Sequence, residues 1–122
     1  MAIPFCLFLA WHQLINVPDG KTHLSFLDVG QGDSELIVSP SGKRILIDGG
    51  PDLTTLEQLG SHLDFFNRRI DLLILTHPHL DHIASVPAIL KRYDIGQVLM
   101  SGVDYNQQRY AHMLDEMNAQ EI

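Results

Sequence analysis

The chain has 122 residues, 45% of them hydrophobic and 19% charged, with a mean hydropathy of +0.03. That is the profile of one globular domain, and it excludes a disordered, collagen-like or multi-span membrane chain. Eight Lys and Arg against fifteen Asp and Glu give a formal charge of −7, which excludes a passive nucleic-acid clamp built on clustered cations. The single cysteine, Cys6, excludes an internal disulfide and a cysteine-based zinc knuckle.

Met1 to Trp11 is an unbroken apolar run, after which His12, Gln13 and Asn16 interrupt Leu14, Ile15 and Val17. The run is too short to span a bilayer alone, and no Lys or Arg precedes Lys21 to start a signal peptide. Three readings stay open: a buried terminal segment, the cut end of a membrane helix, or a poor signal sequence. Pro18-Asp19-Gly20 is turn chemistry, so residues 1–19 form an apolar leader and 20–122 the folded domain.

Thr22 to Val29 is expected to be a strand, with Leu24 and Phe26 on one face and Leu27 and Val29 on the other. Gly30-Gln31-Gly32-Asp33 breaks it. Ser34–Ser39 and Lys43–Ile47 form a hairpin about Pro40-Ser41-Gly42. Leu53, Leu56, Leu59, Leu63 and Phe66 recur at helical spacing. At the start of that helix Thr54 and Glu57 have capping-box spacing, with Asp52 as a competing cap. Asp71 to Thr76 holds four successive apolar residues, the signature of a strand covered on both faces. A helix over Ile83 to Tyr93, a strand over Gln97 to Ser101 and a helix through Tyr110, Met113, Leu114 and Met117 complete an α/β layered domain.

The chemistry resides in His77-Pro78-His79-Leu80-Asp81-His82, between a buried strand and a helix. Loops at the carboxyl ends of strands are where α/β sheets place ligands. Residues two apart in an extended loop point the same way, so His77 and His79 can offer two imidazoles to one ion, while Asp81 and His82 can face a second. Imidazole with carboxylate suits zinc, manganese or iron. A polar loop with an accidental histidine cluster is the competing explanation, and the added Asp and third His weigh against it. His12, His23, His62 and His112 are expected to be incidental.

Thr76 to His82 resembles the metal-binding motif of the metallo-β-lactamase superfamily. Phe26-Leu27-Asp28-Val29-Gly30-Gln31-Gly32-Asp33, Ser41-Gly42-Lys43 and Ile47-Asp48-Gly49-Gly50 resemble the hydrolase domain of ComEC-type DNA-uptake proteins, from about Leu24 to the C-terminus. The resemblance implies an αββα layered sandwich, of which this chain would be the first half, with an uncovered sheet face where the second half-sheet is missing. It implies two divalent ions, zinc first, held by His77 and His79 and by Asp81 and His82. An activated hydroxide oriented by the catalytic Asp81 would attack phosphodiester bonds of DNA.

Asp48 would be a partner fixing histidine orientation, although a turn aspartate ending a strand reads the same way. Asp28, Gln31 and Asp33 would line the rim, or serve only the glycine-rich turn. Further ligands of the family come from the second half of the domain, so the missing half or a second chain is an expected partner. The resemblance also implies a domain on the outer face of the cytoplasmic membrane, attached through residues 1–17; a stand-alone fragment would be cytoplasmic. A small-molecule hydrolase acting on lactones, thioesters or lactams, and a truncated remnant that binds only metal or a partner chain, are the alternatives.

Overall fold

A computed structural model describes residues 2–15 and 18–122. The leader is the helix α1 (Ala2–Ile15), followed by β1 (His23–Phe26), β2 (Glu35–Val38) and β3 (Arg44–Ile47). Then come α2 (Thr54–His62), β4 (Arg69–Leu75), α3 (Leu80–Ile83), α4 (Val86–Arg92), β5 (Asp94–Met100) and α5 (Gln108–Ala119). The five strands form one sheet in the order β1-β2-β3-β4-β5. β2 pairs antiparallel with both β1 and β3, and β3, β4 and β5 run parallel. The change follows connection length: a short turn joins β2 to β3, whereas helices join β3 to β4 and β4 to β5. The α/β class and the partial layered sandwich are as expected.

Alternation along the strands sorts the sheet into two unlike faces. Leu36, Leu46 and Leu73 are cross-strand neighbours and lie in the core with Leu59, Val86, Ile89 and Met113. The opposite face carries Leu24, Phe26 and Leu99, exposed by 55%, 74% and 57%. The expectation that β4 is covered on both faces is therefore corrected. Leu73 and Leu75 are buried, but Leu72 and Ile74 stay half-buried, because no helix among the described residues closes over that side.

Several boundaries also differ. β1 ends at Phe26 instead of Val29, although Leu27 and Val29 still turn into the core. α2 stops at His62 and never reaches Phe66, because Leu63 turns extended and buried. Asp64 then meets Arg44 in a buried pair at 2.9 Å. Arg44 also donates to the carbonyls of Asn67 (2.5 Å) and Arg69 (3.3 Å), so a tertiary ion pair overrides the helical period. Leu53 stands at the head of α2 without a side-chain cap, while Asp52 Oδ1 accepts from Thr54 N at 2.9 Å just before it. The helix expected over Ile83–Tyr93 is two pieces, since Pro87 sits in the first turn of α4 and has no N–H to continue a helix from α3.

Leu73 lies fully buried in β4 between two parallel neighbours. Leu73→Ala is expected to cost about 2–5 kcal/mol in urea unfolding. Leu99→Ala on the exposed face should stay within about 0.5 kcal/mol of the parent.

Candidate metal centre

The centre begins with a backbone peculiarity. Asp48, one residue past β3, has φ +57°, a left-handed conformation that aspartate tolerates better than most residues. It is only 2% exposed, so its carboxylate needs partners. Oδ1 accepts from the Thr76 backbone N–H at 2.8 Å, and Oδ2 from the Thr76 hydroxyl at 2.5 Å. Oδ2 also meets His82 Nδ1 at 2.8 Å. Since a carboxylate only accepts, Nδ1 carries the proton and the Nε2 lone pair of a neutral ring points away.

Thr76 directly follows β4, and the histidine loop comes next. His79 is extended (φ −71°, ψ 147°) and stands at the head of α3, its carbonyl accepting from His82 N (2.9 Å) and Ile83 N (3.1 Å). That single turn swings Asp81 and His82 back toward His77. The ring centroids of His77 and His82 lie 3.9 Å apart, and those of His77 and His79 4.7 Å. Ligand atoms of Asp48, His77 and His82 fall within 4.8 Å of one another. His82 Nε2 faces Asp81 Oδ2 at 3.7 Å and Asp33 Oδ2 at 3.8 Å.

Two glycines permit this closeness. A side chain at Gly32, with φ +141°, would run into the Asp81 carbonyl oxygen. At Gly49 a Cβ would lie 2.7 Å from Val86 Cγ2. The Gly49 carbonyl accepts from the hydroxyls of Thr55 (2.5 Å) and Ser85, and its N–H donates to the His82 carbonyl at 2.6 Å.

Of the residues singled out from sequence, His77, His79, Asp81, His82, Asp48 and Asp33 are therefore brought together. Gln31 lines an open cleft beside Asp81. Asp28 is exposed and has no described contact with the histidines. His23 pairs with Asp19, His62 with Gln58 and Ser61, and His112 lies 3.7 Å from Glu116 on α5; the His12 side chain lies outside the described residues.

Three neighbours escaped the sequence reading. Tyr105 sets its ring 5.7 Å from that of His79 while accepting from Gln107 Nε2 at 3.1 Å. Arg109 on α5 lines the cleft with Gln31 and Asp81. Glu35, opening β2, is half-buried. Burial pushes its carboxyl above the ordinary range, the charges of Asp33 and Asp48 push the same way, and His82 pulls it down. None has a local signal except Glu35, whose place two residues after the Gly-rich loop could have drawn attention.

A cation fits this donor set. The carboxylates of Asp81 and Asp33 both face Nε2 of His82, and acceptors gathered in this way are relieved by a positive ion. Residues 27–122 match the metallo-beta-lactamase superfamily, and the chain belongs to that family. It is 36% identical over 97 residues to Endoribonuclease YSH1 of Kluyveromyces lactis, covering 73% of this chain and 13% of that one. Endoribonuclease ysh1 of Schizosaccharomyces pombe is 32% identical over 90 residues, covering 68% and 12%. Ribonuclease Z of Bradyrhizobium diazoefficiens is 42% identical over 62 residues, covering 51% and 20%. The chain thus spans at most a fifth of these relatives, and none of the three is a DNA-uptake protein.

The charge at Glu35 carries a pH signature. Its raised folded-state pKa means that ionisation opposes folding above the carboxylate range, and that the penalty vanishes once folded and unfolded chains are both protonated. Metal-stripped Glu35→Gln is expected to melt above the parent at about pH 7, the gap narrowing toward about pH 4. Melting curves across that range check it, and a constant gap would contradict it.

Proposed function

We propose that this chain carries part of the catalytic centre of a metal-dependent phosphodiesterase acting on nucleic acid. The observation that carries the reading is the convergence of His82 Nε2 with the carboxylates of Asp81 and Asp33 beside the His77 and His79 rings. In this reading His77, His79, Asp81 and His82 hold divalent ions, zinc before manganese or iron. Asp48 fixes the His82 tautomer from behind. When bound, the ions polarise a phosphoryl oxygen and lower the pKa of water.

Asp81 Oδ2 orients the attacking water and takes its proton as the new P–O bond forms. The bond to the leaving alkoxide breaks, and the proton held by Asp81 passes through solvent to that oxygen. Arg109, for which no ion pair is found among the described residues, lines the adjoining cleft and in this reading receives a non-bridging phosphate oxygen there. It offsets locally an overall charge of −7. RNA is the favoured substrate because the named relatives are ribonucleases. DNA, as in DNA uptake, rests on the motifs running from Phe26 to Asp33 and from Ile47 to Gly50. The remaining ligands would come from further chain, or a second copy, packed on the exposed face bearing Leu24, Phe26 and Leu99.

Elemental analysis of protein purified without chelator is expected to find bound divalent metal, lost in His77→Ala and His79→Ala but retained in His112→Ala. Asp48→Ala should weaken the metal about 10–100-fold. Equal retention in all four would refute the assignment.

With the centre completed by the further chain or the second copy, assays supplemented with metal should show cleavage of oligoribonucleotide and of bis-(p-nitrophenyl) phosphate, with nitrocefin and thioesters untouched. Arg109→Ala should lower kcat/KM about tenfold or more at unchanged metal content. Preference for oligodeoxynucleotide would favour the DNA reading, and hydrolysis of nitrocefin alone would replace both.

A further inference from the structure

A second cleft opens off the one beside Asp81, and the proposed centre has no use for it. Its floor is Ala84, Pro87 and Ala88, at the break between α3 and α4, and its walls are Lys91 of α4 with Arg109 and His112 of α5. Ala84 and Arg109 also line the cleft that holds Gln31 and Asp81, so the two run into each other. The groove follows from the packing of α4 against α5. Pro87 and Lys91 stand one turn apart on the first helix, as do Arg109 and His112 on the second.

The charges here are arranged in depth. Glu116 Oε1 lies 3.3 Å from Lys91 Nζ and 3.7 Å from His112 Nε2. Its side chain is 22% exposed, against 62% for Lys91 and 56% for His112, so hydrogen-bond donors stand outermost and the carboxylate is recessed. A lysine has three N–H donors and an imidazole at least one, which leaves donors over for a further anion. Arg109 is exposed beside them. In a chain of formal charge −7 this grouping is no run of cations; folding alone brings the α4 and α5 residues together.

We propose that this groove carries the backbone of a single-stranded nucleic acid away from the metal centre, Lys91 and His112 receiving phosphates beyond the one at Arg109. The inference rests on the phosphodiesterase reading above and extends its substrate from a small diester to a strand. From Pro87 to Lys91 the groove follows about 6 Å of helix, the span of roughly two phosphates in a stacked strand. Its volume of about 290 Å³ is room for one drug-sized group, hence for the backbone of one strand and not of two.

No aromatic ring lines the groove among the described residues, so it has no platform on which bases could stack. Its contacts go to phosphate, which positions a strand without reading its sequence. An acidic peptide is the other partner that a lysine and a histidine invite. Continuity with Arg109 favours the nucleic acid, because a strand with one phosphate there brings its next phosphates alongside His112 and Lys91.

Affinity of the full chain for fluorescein-labelled oligouridylate of about ten nucleotides is read by anisotropy in EDTA, across a salt series. The double variant Lys91→Ala/His112→Ala should bind about tenfold more weakly at an unchanged melting temperature. The slope of log affinity against log salt should become shallower by roughly one. Glu116→Gln breaks the same ion pair but removes the anion, and should bind up to about fivefold more tightly. A merely structural pair would weaken binding in both variants. Absence of binding by the parent, parent-like affinity or slope in the double variant, or weaker binding in Glu116→Gln would overturn the proposal. So would equally effective displacement of the oligouridylate by polyglutamate, which would give the groove to an acidic peptide. Since the titration contains no free metal, its outcome is separate from the elemental analysis that tests the centre.

Discussion

One buried carboxylate holds the functional end of this domain together. Asp48 is withdrawn from water almost completely, and an unpaired ion in that position would cost several kcal/mol. It is matched by two donors from Thr76 and one from His82, while the Ser34 hydroxyl donates to its carbonyl at 2.9 Å. The end of β3, the end of β4, the start of β2 and the single turn of α3 thereby converge on one residue. Its left-handed backbone is sustained because these surroundings over-determine it, as is common where strain serves a site. The consequence for chemistry is direct: with Nδ1 engaged, His82 has its second nitrogen to offer outward, among carboxylates.

The rest of the domain is organised by which side of the sheet is closed. Core residues from α2, α4 and α5 gather on the face of Leu36, Leu46 and Leu73, and the other face is left apolar and exposed. A second buried pair, Arg44 with Asp64, does at the opposite end what Asp48 does at the first. It stops α2, sets the loop holding Phe65 and Phe66, and pins that loop to β3. The molecule is therefore polarised along its strands, with acceptors converging at the carboxyl ends of β3 and β4 and the exposed Phe65 and Phe66 pair at the other. Membership of the metallo-beta-lactamase superfamily accords with the first of these ends, where α/β sheets gather their ligands.

Much of the centre could be read from residues in a row. His77, His79, Asp81 and His82 are close in sequence, so strand-loop-helix geometry alone brings them near one another. Asp48 was legible only through the resemblance carried by Ile47-Asp48-Gly49-Gly50, since a strand ending in Asp-Gly-Gly reads equally as a plain turn. Residues brought from afar were not: Tyr105 reaches His79 across the end of β5, and Arg109 reaches the cleft from α5. Periodicity also overran the true end of α2 and missed the break between α3 and α4. A stripe of apolar spacing records which residues could share a face, and it is blind to an ion pair or a missing N–H that ends the helix.

By itself the sequence determined the α/β class, the order of the elements and the histidine loop, because short-range periodicity, turn chemistry and adjacent ligands all act within a few residues. Only the tertiary structure decided that Asp48 grips His82, that Asp33 completes the ring of acceptors, and that one sheet face stays open while the other is sealed. Those outcomes depend on which distant side chains arrive at the same place. Distances of a few ångströms between residues tens of positions apart are set by the packing of the whole sheet.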